Sequence, residues 1–106
     1  MGIKTSLRIN LADPAGASSV AKVASYRYMG ASIFPDPDNS YTLGSGVATV
    51  QFSADGENFT NSAKTLSGST TGVFNVDIQG VHSVRLLTTT ADASADPSAN
   101  ISVYLQ

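Results

Sequence analysis

The residues able to do chemistry in this chain are few, and their spacing assembles no reaction centre. The single histidine, His82, sits between Val81 and Ser83, with Asp77 a short way upstream. Serine, histidine and aspartate are the parts of a nucleophilic triad, but the GxSxG turn that presents a serine nucleophile is absent. Alternation puts His82 on the parity of Val84, which reads as a partly buried or strand-end histidine. With one histidine and no cysteine, disulfides, thiolate metal sites and a cysteine nucleophile are excluded, and a zinc site lacks ligands. Asp36-Pro37-Asp38-Asn39-Ser40 begins like a calcium loop. An EF-hand needs glycine at its sixth position and an acid at its twelfth, where this sequence has Tyr41 and Val47. A solvated turn is the expectation there, and the same holds for Asp92 and Asp96. Asp55 and Glu57 flank a turn in which solvent keeps both ionised. No two titratable groups are placed to share a pocket, as general acid–base catalysis requires. A protein that is not an enzyme, with no cofactor and no metal, is expected.

Groups suited to adhesion are better represented. Tyr26, Tyr28, Phe34 and Tyr41 cluster around a proline loop, either capping one end of a core or anchoring a contact. Arg8, Arg27 and Arg85 can each make forked carboxylate contacts. Arg85 lies on the parity opposite to Val84 and Leu86, which places it at the surface. The candidate partner-binding set is Arg85, Arg27, Tyr28, Phe34 and Tyr41. The sequons at Asn58 and Asn100 and the myristoylation pattern at Gly2 are short enough to arise by chance.

These residues must be positioned by strands. In VATVQFSADGENFT, Ala48, Val50 and Phe52 alternate with Thr49, Gln51 and Ser53, so one face is buried and the other wetted. Asp55-Gly56 then supplies a hairpin turn, because glycine enters positive φ without steric cost. Ile3 to Leu11 alternates as an opening strand ended at Asp13-Pro14. Val20 to Tyr28 reads as a strand, with a short helix capped at Ser18-Ser19 as its rival. Ala31 to Phe34 is a strand stopped by Pro35-Asp36-Pro37, and Tyr41 to Leu43 resumes one before Gly44-Ser45-Gly46. A turn spans Ser67 to Gly72. Phe74, Val76 and Ile78 then face one way, with Asn75 and Asp77 opposite. Gln79-Gly80 turns into Val81 to Thr90, ADASADPSAN is a loop, and Ile101 to Leu105 alternates to the end. A chain that ends in a strand needs that strand paired. About eight strands spaced roughly ten residues apart predict an all-β fold, an antiparallel β-sandwich or small jelly roll.

At 106 residues the expectation is one domain, spanning residues 1–106, with a single core. Charged residues make up 13%, about half the usual share, and serine and threonine fill the surface. Such a surface is covered by another protein with little cost of stripping water from charges. The net charge of −2 and the lack of a basic run leave nothing to neutralise phosphates or an anionic membrane. No apolar stretch is long enough to span a bilayer. The N-terminal MGIKTSLRINLADP alternates rather than forming a secretory h-region, and the absence of cysteine fits folding in a reducing cytosol.

Across the last 60 or so residues, S-x-DG-x-NF leads through a Ser/Thr linker to F-x-V-x-I-x-G, then V-x-S-V-R-L and an alternating strand. This cadence resembles small β-sandwich accessory proteins of tailed-bacteriophage virions, including head-decoration or cement proteins. It is also similar to carbohydrate-binding and discoidin-like sandwiches. The resemblance implies a capsid-exterior module, assembled in the host cytoplasm and oligomeric, with a trimer favoured. It also implies binding to the major capsid protein or another virion protein, with neither nucleic acid nor membrane as partner. The alternative is a carbohydrate-binding module of a tail or host-recognition protein. It would stack sugars on Tyr28, Phe34 or Tyr41 and hold calcium at Asp36 and Asp38, although tryptophan, the most useful stacking residue, is absent.

Overall fold

The computed structural model describes residues 2–12, 16–35, 46–67, 72–92 and 98–106. Eight strands run through them: β1 (Ile3–Asn10), β2 (Ala21–Lys22), β3 (Tyr28–Pro35), β4 (Val47–Ser53), β5 (Thr60–Ser67), β6 (Gly72–Asp77), β7 (Ser83–Thr90) and β8 (Ser98–Leu105). They form two four-stranded antiparallel sheets, ordered β1-β8-β3-β6 and β2-β7-β4-β5. Only the β4–β5 connection stays within one sheet; every other connection carries the chain to the opposite sheet. This is the jelly-roll arrangement of two Greek keys.

Period-two alternation builds the interior. Leu7 and Ile9, Met29, Ala31 and Ile33, Ala48 and Val50, Val84 and Leu86, and Ile101, Val103 and Leu105 all point between the sheets and are buried. Each large aliphatic side chain so buried contributes roughly 1.5–3 kcal/mol. β8 pairs with β1 on one side and β3 on the other, so the final strand is held along its whole length. It begins at Ser98, earlier than its hydrophobic residues suggest.

Strand pairing modifies what alternation alone predicts at several places. The stretch expected as one strand from Val20 to Tyr28 is split: Ala21–Lys22 pairs with β7, while Tyr28 already opens β3 opposite Asp77 of β6. The Val23 amide still bonds to His82 on one sheet, whereas the amides of Arg27 and Tyr28 bond to the Gln106 carbonyl on the other. A turn closed from Tyr26 N to the Val23 carbonyl moves the chain between them. Ser18 caps no helix. Its hydroxyl accepts from the Leu86 amide at 2.9 Å, and its own amide donates to the Leu86 carbonyl, which extends the β2 edge along β7.

The Asp55-Gly56 turn is real, with φ of 83° at Gly56, but it belongs to a longer connection between β4 and β5. Asp55 organises that loop, accepting from the Ser53 hydroxyl, the Glu57 and Asn58 amides and the Asn58 side chain, all within 2.8 Å. These donors, the Asn58 amide foremost, hold its carboxyl well below the usual range. On β4 the residues expected to face water are themselves covered: Thr49, Gln51 and Ser53 are buried, because β4 lies inside its sheet between β7 and β5. Tyr41 to Leu43, the Asp36–Asp38 loop, Asp96 and the middle of the Ser67–Gly72 turn lie outside the described residues.

Candidate functional site

Alternation sends Phe74 inward with Val76 and Ile78, but Phe74 is 71% exposed while Val76 and Ile78 are buried. The pairing of β6 with β3 explains the reversal. Met29 faces Val76 and Ala31 faces Val73, so Phe74 and Asn75 together oppose Gly30. That is a β-bulge, in which two residues stand against one. Asn75 takes φ of 56°, a left-handed conformation that asparagine enters more readily than bulkier residues. The extra residue resets the parity, and Val73 and Val76 both reach the core.

The phenyl ring then lies across two glycines. A Cβ at Gly30 would sit 3.3 Å from Phe74 Cδ1, and one at Gly72 would sit 2.8 Å from Phe74 Cζ. A side chain at Gly72 would displace the ring, and one at Gly30 would crowd it, so the two glycines leave the ring its seat on the sheet. Tyr104 on β8 pairs with Gly30 from the other side and is half exposed, its hydroxyl lying against Gly2. Tyr28, at the start of β3, completes the ring set. Between these rings lies a groove of about 370 Å³, floored by Gly30 and edged by Lys4, Ser32, Asn75, Ser102 and Gln106. Its walls offer aromatic faces beside hydroxyl and amide groups, with no aspartate or glutamate among the lining residues.

The expected partner-binding residues fall in different places. Arg27 and Tyr28 are together, the guanidinium over the ring at 5.2 Å from its centroid. Phe34 shares the outward parity of Tyr28 and is half exposed, but it stands at the far end of β3, roughly 20 Å away by strand geometry. Tyr41 lies outside the described residues. Arg85 is on the other sheet. Phe74 and Tyr104, the two rings nearest the groove floor, were not in the expected set. Tyr104 was readable as outward between Val103 and Leu105, and Phe74 carried a signal in the flanking Gly72 and Asn75.

On the outer face of β2-β7-β4-β5, Arg85, Gln51 and Asn61 face one another across β7, β4 and β5. Arg85 Nε donates to Gln51 Oε1 at 2.8 Å, and Gln51 Nε2 donates to Asn61 Oδ1 at 2.8 Å. The guanidinium also stacks on Phe59, 4.2 Å from the ring centroid. Arg85 does point outward, but it is half-buried rather than exposed, because Phe59 at the end of the β4–β5 loop packs on it.

Among the described residues no triad forms around His82. Its Nδ1 hydrogen-bonds the adjacent Ser83 hydroxyl at 2.7 Å, while Asp77 accepts from the Gln79 amide. Among the described residues no group of three or more His, Cys, Asp or Glu side chains is arranged to hold a metal ion. Asp92 is buried, with Oδ2 accepting from the Gly46 amide at 3.1 Å. No helix among the described residues is long and apolar enough to cross a membrane.

Fold and surfaces together define a small jelly-roll sandwich with an aromatic groove on one outer face. No protein-family model matches the chain, and no curated protein sequence does. Among solved structures it is similar to the SPBc2 prophage-derived protein YomS, with a TM-score of 0.64 and 13% identity over 99% of this chain and 94% of that one. It is similar to a chain of the full particle of Israeli acute paralysis virus, with a TM-score of 0.51 and 10% identity over 99% of this chain and 70% of that one. A low-affinity xylan-binding module, CBM86 from Roseburia intestinalis, gives a TM-score of 0.50 and 13% identity over 98% and 95%. At these identities the likeness is one of fold.

Proposed function

We propose that this protein is a non-enzymatic accessory module of a bacteriophage virion. It adheres to the major capsid protein, or another virion protein, through the outer face of β1-β8-β3-β6. One observation carries the reading: Tyr28, Phe34, Phe74 and Tyr104 are all exposed on that single sheet face, which no other segment among the described residues covers. Aromatic side chains concentrated on an open face mark contact surfaces, and burying them drives association. The low charge of the chain keeps the desolvation cost of covering it small. The sequence cadence shared with virion accessory proteins and the fold shared with a prophage protein and a virus-particle chain support this reading. On the capsid exterior such a module acts as a decoration protein, binding as a trimer at junctions between subunits.

The test is binding to capsids of the phage that encodes the protein, followed by sedimentation and by light scattering of the free protein. Saturable binding is expected, lost in the Phe74→Ala/Tyr104→Ala double variant while the fold is kept. Absence from purified virions together with no capsid binding would refute the proposal.

A carbohydrate-binding role is the second reading, and the groove is the observation that favours it. Aromatic faces bordered by Ser32, Ser102, Asn75 and Gln106 suit stacking on a sugar ring with hydrogen bonds to its hydroxyls. The xylan-binding module shares the fold. A glycan array with and without calcium separates the two: saturable glycan binding abolished by Tyr104→Ala would promote this reading over the first.

A further inference from the structure

We infer that Arg85 is a preformed anchor for a carboxylate on an acidic segment of a partner protein. This anchor lies on the sheet opposite the aromatic groove and stands whether or not that groove meets a virion protein. The guanidinium is held from two directions. Phe59 stacks on its plane at 4.2 Å, and Gln51 accepts from Nε at 2.8 Å. Gln51 is itself 6% exposed and is tied on its other side to Asn61, so the side chain that fixes Arg85 is locked in turn. Among the described residues these are the contacts of the guanidinium, which leaves both Nη nitrogens without a protein partner.

An arginine whose Nε and ring face are already used, with its terminal nitrogens unspent, has lost its rotamer freedom before any ligand arrives. Preorganisation of that kind lowers the entropy lost on binding and raises affinity. The planar nitrogens match a carboxylate in geometry as well as charge. Lys22, exposed on β2 opposite Ser83, is a diagonal neighbour of Arg85 across the β2–β7 pair and adds positive potential. The rest of the row, Gln51 and Asn61, is neutral. One fixed cation with one neighbour suits the single charge of a carboxylate better than a phosphate dianion, which backbone amide nests or several cations usually bind.

The test uses ¹⁵N-labelled full-length protein titrated with a blocked peptide of glycine alternating with aspartate and glutamate. Its asparagine/glutamine counterpart and inorganic phosphate are the control arms. Saturable shifts of the Arg85 Nε–H and of the backbone amides of Gln51 and Leu87 are expected in the millimolar range with the acidic peptide. The neutral peptide should leave them unmoved. Arg85→Lys, which keeps the charge and removes the fork, should weaken binding by about tenfold. Phe59→Leu, which leaves the arginine but frees it, should weaken binding about threefold; it serves as the reading variant if Arg85→Lys fails to fold. Absence of saturable shifts, equal shifts with the neutral peptide, tighter binding of inorganic phosphate, or full binding by a folded Arg85→Lys would each overturn the assignment.

Discussion

Replacing Phe74 by alanine tests the bulge on which the groove depends. Strict alternation makes Phe74 and Ile78 equivalent core residues, so truncating either should cost about the same. The structure separates them. A fully buried phenylalanine removes about 150–250 Å² from water, but Phe74 is 71% exposed and so buries only some 60 Å². At about 25 cal/mol per Å² its loss costs no more than about 1.5 kcal/mol. Ile78 is fully buried, and its truncation leaves a cavity, for a cost of about 2–5 kcal/mol. Urea unfolding followed by circular dichroism measures both, and an unchanged slope shows that the folded and unfolded states remain comparable. The expected ranking is a small loss for Phe74→Ala and a loss larger by about 2 kcal/mol for Ile78→Ala. Equal losses would mean that Phe74 points inward, and the bulge, the glycine seat and the groove would fall with it.

The same bulge makes Asn75 a conformational probe. Asn75→Gly should be neutral or slightly stabilising, whereas Asn75→Val should cost about 1–3 kcal/mol, because a β-branched residue resists a φ of 56°; thermal melts of the two variants decide it, and a tolerated valine would contradict the backbone conformation. Asp55 gives a pH signature. Its folded pKa is depressed by hydrogen bonds from Asn58, Glu57 and Ser53, so its stabilisation is present above the unfolded carboxylate value of about 4 and is lost as pH falls through the folded value. The difference in unfolding midpoint between the native protein and Asp55→Asn should therefore be widest near neutrality and narrow below about pH 4. A gap that stays constant with pH would show that the loop does not depend on the ionised carboxylate.

Along most strands, residues two apart decide the outcome, and the sequence alone states it. Val84, Leu86 and Thr88, and likewise Ile101, Val103 and Leu105, had to face one side of a strand, and two such sheets had to close on each other. The turns at Gly56 and Gly80 were equally legible, because a positive φ selects glycine on local grounds. Tertiary structure decided what alternation cannot carry. A single extra residue opposite Gly30 turned Phe74 from core to surface, and nothing within β6 alone states which strand it will pair with or in what register. The approach of Phe59 over Arg85, and of β5 and β7 to either side of Gln51, depends on pairing between segments distant in sequence. Local preference sets the direction of a side chain within its strand, but the neighbours that cover it arrive only when the sheets assemble.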